Sequence, residues 1–216
     1  MSKARAKKIK LILLDVDGVM TDGSIWLFPA PAGVEAAAPQ QQRDKVSQGG
    51  GFGFHSETMI EAKGFNAHDG TAISLAHLAG LKVGLITKRV SDTVAIRARD
   101  LKLDHVHQGI QDKLTTFREI LREEGLGAAQ AAYVGDDIID LPVMRNCGLA
   151  IAVPNGRDEV KRAAHLVTEH PGGHGAVRDA IEFILKAQGV WEQVVEEYVK
   201  ERSPEEEGKG RKAKEE

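Results

Sequence analysis

The chain has 216 residues, a formal net charge of −3, 42% apolar residues and 5% aromatics. That length suits one domain, with room for an insertion, and is ample for a buried core, while the small net charge excludes a general drive toward nucleic acid or acidic membrane. Cys147 is the single cysteine, which excludes an internal disulfide and a multi-cysteine zinc site and agrees with a reducing, cytoplasmic compartment.

In chain order, residues 1–8 read as a flexible basic start, with too short an apolar run after them for a signal peptide. No stretch approaches the length of a membrane span. "LILLDVDGVMTDG" (11–23) is an apolar strand running into three aspartates, at 15, 17 and 22. Asp is a poor strand former and costly to bury as an anion, so either this is a solvated turn or the acids hold a cation and do chemistry. "SIWLF" (24–28) and "ETMIEAKGFN" (57–66) have strand content and are predicted to form a hairpin. The segment 29–56 between them is rich in Pro, Gln, Gly and Ala and reads as a long mobile loop.

A regular alternation follows. Helix 70–80 leads to strand 81–87, helix 91–101 (Ser91 as N-cap) to strand 104–109, and helix 113–125 to strand 131–136. Segment 137–148 reads as a helix with Pro142 in its first turn or at a bend. Strand 149–153, helix 156–164, strand 165–168 and two closing helices, 175–189 and 190–201, complete the pattern, and residues 203–216 read as a disordered, charge-rich tail. Strands alternating with helices predict an α/β fold, a parallel sheet with helices on both faces, plus the protruding hairpin. The domain is expected over residues 9–202. In such sheets the site lies beyond the carboxyl ends of the strands.

The polar residues obey that rule. Asp15, Asp17, Thr87, Asp136 and Asp137 follow strands, and Lys113 opens a helix. Clustered carboxylates ionise together only around a cation, and hard oxygen ligands favour Mg²⁺. Asp15 can serve as a nucleophile that forms an aspartyl-phosphate. Asp17, two residues on and therefore on the same side of an extended segment, can protonate the leaving oxygen and deprotonate water. Thr87 can donate to a phosphoryl oxygen, and Lys113 can neutralise both the nucleophile and the phosphate. Read one at a time, the bland alternatives are a solvated turn for Asp15 and Asp17, an exposed helix-start lysine for Lys113 and a surface acid for Asp140.

"DVDGVMTDG", "LIT", "QDKL" and "YVGDDIIDLPVM" resemble the four ordered motifs of the haloacid dehalogenase-like phosphatases, over roughly residues 9–186. With "KGFNAHDG", "QGIQDKL" and "GGHGAVRD", the chain is similar to the cap-less branch that includes the 3-deoxy-D-manno-octulosonate (KDO) 8-phosphate phosphatases. The resemblance implies a Rossmann-like fold, Mg²⁺ as cofactor, a small phosphorylated sugar acid as substrate, and a homotetramer whose hairpins help close neighbouring sites. It implies Asp15 as nucleophile, Asp17 as general acid/base, and Asp15, Asp136 and the carbonyl of Asp17 as metal ligands. Asp137 and Asp140 would orient the metal site from behind.

Four features depart from the family pattern: Lys88 in "ITKR", His68 before "DG", His174 with Asp179 in "GGHGAVRD", and the long hairpin loop. All fall where the substrate is expected. Lys88, Arg89, His68, His174 and Arg178 are the candidate substrate contacts, with Arg89 first because a guanidinium grips a carboxylate through two hydrogen bonds. The alternatives are a phosphatase for a related sugar-acid phosphate of the nonulosonate 9-phosphate type, and a non-catalytic tetramerisation module. A mutase would require a cap-sized insertion, which 29–56 is too short to supply.

Overall fold

The computed structural model describes residues 2–30, 52–53 and 59–203. Helix α1 (Ser2–Ala6) precedes strand β1 (Leu11–Leu14), and strands β2 (Trp26–Pro29), β3 (Phe52–Gly53) and β4 (Met59–Ala62) follow. Then come α2 (Ala67–Leu78), β5 (Lys82–Ile86), β6 (Arg89–Val90), α3 (Asp92–Asp100), β7 (His105–His107), α4 (Lys113–Glu123) and β8 (Ala131–Gly135). The chain continues through α5 (Leu141–Met144), β9 (Leu149–Ala152), α6 (Asp158–Ala163), β10 (Leu166–Val167), α7 (Ala176–Gln188) and α8 (Trp191–Arg202).

Six strands form one sheet in the order β10-β9-β8-β1-β5-β7, and every pairing is parallel. The expected α/β sheet with helices on both faces is what forms. Strand β1 shows why. All four of its residues are buried, with Ile12 and Leu14 in one core and Leu11 and Leu13 in the other, as side-chain alternation requires. The first core packs α1, α2, α3, α7 and α8; the second packs α4, α5 and α6. Because β1 has β8 on one side and β5 on the other, its carboxyl end is a switch point where the connections diverge and leave a crevice.

The structure refines several expectations. Residues 1–8, read from their charge as flexible, include α1, which is docked: Ala6 is buried, Ser2 Oγ donates to the His165 carbonyl and Arg5 to that of Gly148. Those contacts are distant in sequence, so local composition does not reveal them. Segment 137–148 is a 3-10 turn, Ile138–Asp140, followed by the short α5 with Pro142 inside its first turn. Ser91 is the N-cap of α3, as read, accepting from the Val94 amide. Most of the long loop, at 31–51 and 54–58, and the tail from 204 lie outside the described residues, but Phe52–Gly53 pairs in parallel with β6.

The hairpin β2–β4 is antiparallel, with Trp26 opposite Ala62, Leu27 opposite Glu61 and Phe28 opposite Ile60. Trp26, Phe28 and Ile60 therefore share one face, and they are 59%, 47% and 40% exposed. The other face carries Glu61 inward.

Three loops are locked together behind the crevice. Asn155 donates from Nδ2 to the Gly18 carbonyl and accepts from the Gly172 amide, and the Gly173 amide donates to the Val19 carbonyl. Gly172 lies so close to the Gly18 backbone that a Cβ there would overlap the Gly18 carbonyl. Gly172→Ala is therefore expected to cost about 1–3 kcal/mol of stability, read as a lower urea midpoint at unchanged m-value, and to lower activity because it pushes the segment after β1 out of place.

Candidate active site

Asp15 follows β1 at the centre of the sheet, is 4% exposed and donates its amide to the Val134 carbonyl. Lys113 opens α4 beneath it, 3% exposed, with its Nζ 3.0 Å from Asp15 Oδ1 and 2.8 Å from Asp140 Oδ1. Tyr133, fully buried on β8, donates its hydroxyl to Asp140 Oδ1 at 2.8 Å and accepts from Lys113 at 3.3 Å. Asp140 Oδ2 accepts the amides of Asp136 and Asp137 at 3.0 and 3.2 Å. Four donors thus fill Asp140, which serves to hold Lys113 and the turn that carries Asp136.

One carboxylate oxygen each from Asp15, Asp136 and Asp140 lie within 4.8 Å of one another. Three carboxylates face one ammonium, which leaves two negative charges uncompensated in a buried place. Asp136 Oδ1 is buried and, among the described residues, has no hydrogen-bond partner. A residue with a Cβ at position 18 would collide with the Asp136 carboxylate, and Gly18 also has φ +89°, so that approach depends on glycine. Since Asp140 is filled, Asp15 and Asp136 are the carboxylates left to bind a cation, and an unpaired buried carboxylate oxygen beside them is the donor a hard divalent ion takes.

The electrostatics agree. Burial, Asp15, Asp140 and Asp137 together push Asp136 up to about 8. Burial pushes Asp15 up to about 7 against the pull of Lys113, with Asp140 adding to the rise. Burial disfavours the Lys113 ammonium, but Asp15 and Asp140 outweigh it, so its pKa stands above the ordinary lysine value. Without a cation, protons take its place on the acids.

Thr87 follows β5, is 3% exposed, and its amide and carbonyl are bound by the His107 carbonyl and the Ile110 amide. Asp17 sits at the crevice with Lys63 Nζ 2.5 Å from its Oδ1 and Arg89 Nε 3.6 Å from its Oδ2. Asp137 is exposed and caps its own turn, accepting from the Ile138 amide. Asp22 is exposed and closes a local turn with Ser24, so the third aspartate of the opening motif stays outside the cluster.

The candidate substrate contacts divide. Arg89 lies at the crevice, but its guanidinium is also 3.2 Å from Glu61 Oε2. Lys88 is half-buried beside it. His68 and His174 are exposed, near the starts of α2 and α7. Arg178 is engaged elsewhere, pairing with Glu182 at 3.0 Å and stacking over the Trp191 ring. The sequence reading missed Lys63, Glu61, Tyr133 and Asn155. The first two alternate in "EAKGFN", a signal of a shared strand face; nothing local distinguishes Tyr133 or Asn155, whose partners come from other segments.

Comparison with known proteins shows what the chain is similar to. A family model described as haloacid dehalogenase-like hydrolase matches residues 81–181. The 3-deoxy-D-manno-octulosonate 8-phosphate phosphatase of Escherichia coli (strain K12) is 35% identical over 186 residues, 86% of this chain and 84% of that one. Two solved structures are similar. The phosphatase of the same name from Moraxella catarrhalis, in complex with magnesium ion, phosphate ion and KDO, has TM-score 0.75 and 32% identity, covering 91% of this chain and 97% of that one. The cobalt-bound Haemophilus influenzae phosphatase has TM-score 0.70 and 29% identity, covering 87% and 93%.

The raised pKa values set a pH dependence for the metal-free protein. Asp15 and Asp136 keep their protons when folded at pH values where the unfolded chain has lost them. Stability is therefore expected to fall as pH rises from about 4 to about 8. Thermal melts in chelator should show a clearly lower midpoint at pH 8.5 than at pH 5.5, and added Mg²⁺ should raise the midpoint more at pH 8.5. Asp136→Asn should flatten both trends.

Proposed function

This chain belongs to the haloacid dehalogenase-like hydrolases, in the family of the KDO 8-phosphate phosphatases, and is a phosphatase; we propose that it hydrolyses the phosphate monoester of a small sugar acid, KDO 8-phosphate, through an aspartyl-phosphate on Asp15. The observation that carries the reading is the buried Asp15–Lys113 pair, at 3.0 Å, beside the unpartnered Asp136 oxygen. A non-catalytic module has no physical reason to retain two uncompensated charges there.

Asp15 and Asp136, with the carbonyl of Asp17, would hold Mg²⁺, which when bound supplies charge compensation and polarises the phosphoryl group. The relatives support this, one of them being solved with magnesium, phosphate and KDO. The chain's own residues do the rest. An Asp15 oxygen attacks phosphorus and the bond to the leaving oxygen breaks, that oxygen taking the proton of Asp17. Water then attacks the aspartyl-phosphate, giving its proton back to Asp17, and phosphate leaves with Asp15 restored as carboxylate. Lys113 favours the ionised form of Asp15 and aligns it and, with the Thr87 hydroxyl, meets the phosphoryl oxygens. Arg89, at the crevice mouth with Lys88, is the cation nearest to hand for the substrate carboxylate, and to grip it must share its guanidinium with Glu61.

The same reading includes a homotetramer. A two-stranded hairpin with Trp26, Phe28 and Ile60 exposed on one face is too small to be stable alone and buries that face most simply against other copies.

Asp15→Asn should abolish phosphate release from KDO 8-phosphate while the melting curve stays cooperative, and chelation of the wild-type enzyme should do the same reversibly. Near-normal turnover in either case removes the aspartyl-phosphate or the metal from the scheme. For assembly, light scattering should report four chains, and Phe28→Asp should lower that number and the activity together. A fully active monomeric wild type would overturn the tetramer.

A further inference from the structure

Lys63 follows β4 directly, and its side chain is fully buried. Its ammonium lies 2.5 Å from Asp17 Oδ1 and 3.9 Å from Glu61 Oε1. Glu61 also takes Arg89, at 3.2 Å, and the Ser91 hydroxyl, while its carbonyl accepts from Thr93. Two cations and two carboxylates thus balance at the hairpin's base, in contrast to the uncompensated cluster around Asp15. A buried ammonium persists only with partners, and breaking such a pair from one side leaves the other charge unpaired. With no exposed side-chain surface, the Lys63 ammonium meets a substrate only by giving up Asp17.

We propose that Lys63 is a positioning residue for the acid/base: it anchors Asp17 Oδ1 and so presents Oδ2 to the leaving oxygen and then to water. Arg89 Nε, at 3.6 Å from Oδ2, stands outside hydrogen-bond reach. Among the described residues, Oδ1 is therefore the anchored oxygen and Oδ2 the working one. Asp17 is past the end of β1, and its side chain is 24% exposed, so without the anchor nothing in the sheet selects one rotamer. Because Lys63 and Glu61 are carried by the hairpin, the orientation of the acid/base is tied to the element whose other face is apolar and exposed. The inference rests on the acid/base reading of Asp17.

The test is Lys63→Met in the full-length, Mg²⁺-loaded enzyme, with KDO 8-phosphate and p-nitrophenyl phosphate as substrates. An alkoxide must be protonated as it leaves, whereas nitrophenolate leaves without help. Turnover of KDO 8-phosphate should fall about 30- to 100-fold with KM changed less than about threefold. The first-turnover burst of nitrophenolate should stay within about threefold of wild type and be followed by slow steady-state release, since the water step also uses Asp17. Lys63→Arg should recover at least about a tenfold share of the lost kcat. Melting temperature and light scattering check that each variant folds and assembles. A raised KM at unchanged kcat would make Lys63 a substrate contact, and equal losses in both first turnovers would make it a structural residue; either overturns the proposal. Asp17→Asn separates the two levels. If it shows the leaving-group dependence and Lys63→Met does not, the anchor alone falls. If Asp17→Asn shows none, the acid/base assignment falls and the anchor with it.

Discussion

Three carboxylates share one ammonium at the carboxyl end of β1, and the rest of the site depends on that imbalance. Asp15, Asp136 and Asp140 carry more charge than Lys113 can offset; Asp15, Asp140 and Lys113 are buried and Asp136 half-buried, so water screens them poorly. Protons or a divalent cation must make up the difference. The raised pKa values of Asp15 and Asp136 express the first solution and the unpartnered Asp136 oxygen prepares for the second. Asp140 is held apart from that role by its four donors, which lets it fix Lys113 in place.

The sheet makes such crowding tolerable by supplying rigid supports. Parallel pairing brings the ends of β8, β1 and β5 side by side, so Asp136, Asp15 and Thr87 become neighbours although they are far apart in the chain. Each support is a buried strand between two cores. The segment after β1 gains a second brace from Asn155 and the Gly172–Gly173 turn, and close backbone approach at Gly18 lets Asp136 reach the site. Preorganisation of this kind means the groups need not be gathered when substrate arrives.

The neighbouring cluster at the hairpin base has the opposite character. Lys63 and Arg89 balance Asp17 and Glu61, which suits groups that must orient, not compensate. Of the departures from the family pattern, Lys88 lies beside Arg89 and Thr87 in the chain and is half-buried. His68 and His174 are exposed near the starts of α2 and α7.

The sequence alone was enough for the six strands of the main sheet and the helices between them, for the parallel pairing and for the acids at strand exits, because each of these is written locally. Apolar runs of strand length, N-caps such as Ser91 and short spacings such as Asp15-x-Asp17 are properties of neighbours along the chain. Only the tertiary structure decided which of the polar groups act together. It filled Asp140 with four donors and set Asp22 aside in a turn; it turned Arg178 toward Glu182 and Trp191, and brought in Lys63, Tyr133 and Asn155. The docking of α1 was hidden for the same reason. These assignments depend on partners many residues distant, and a hydrogen bond or ion pair between remote segments leaves no periodicity in the sequence from which it could be read.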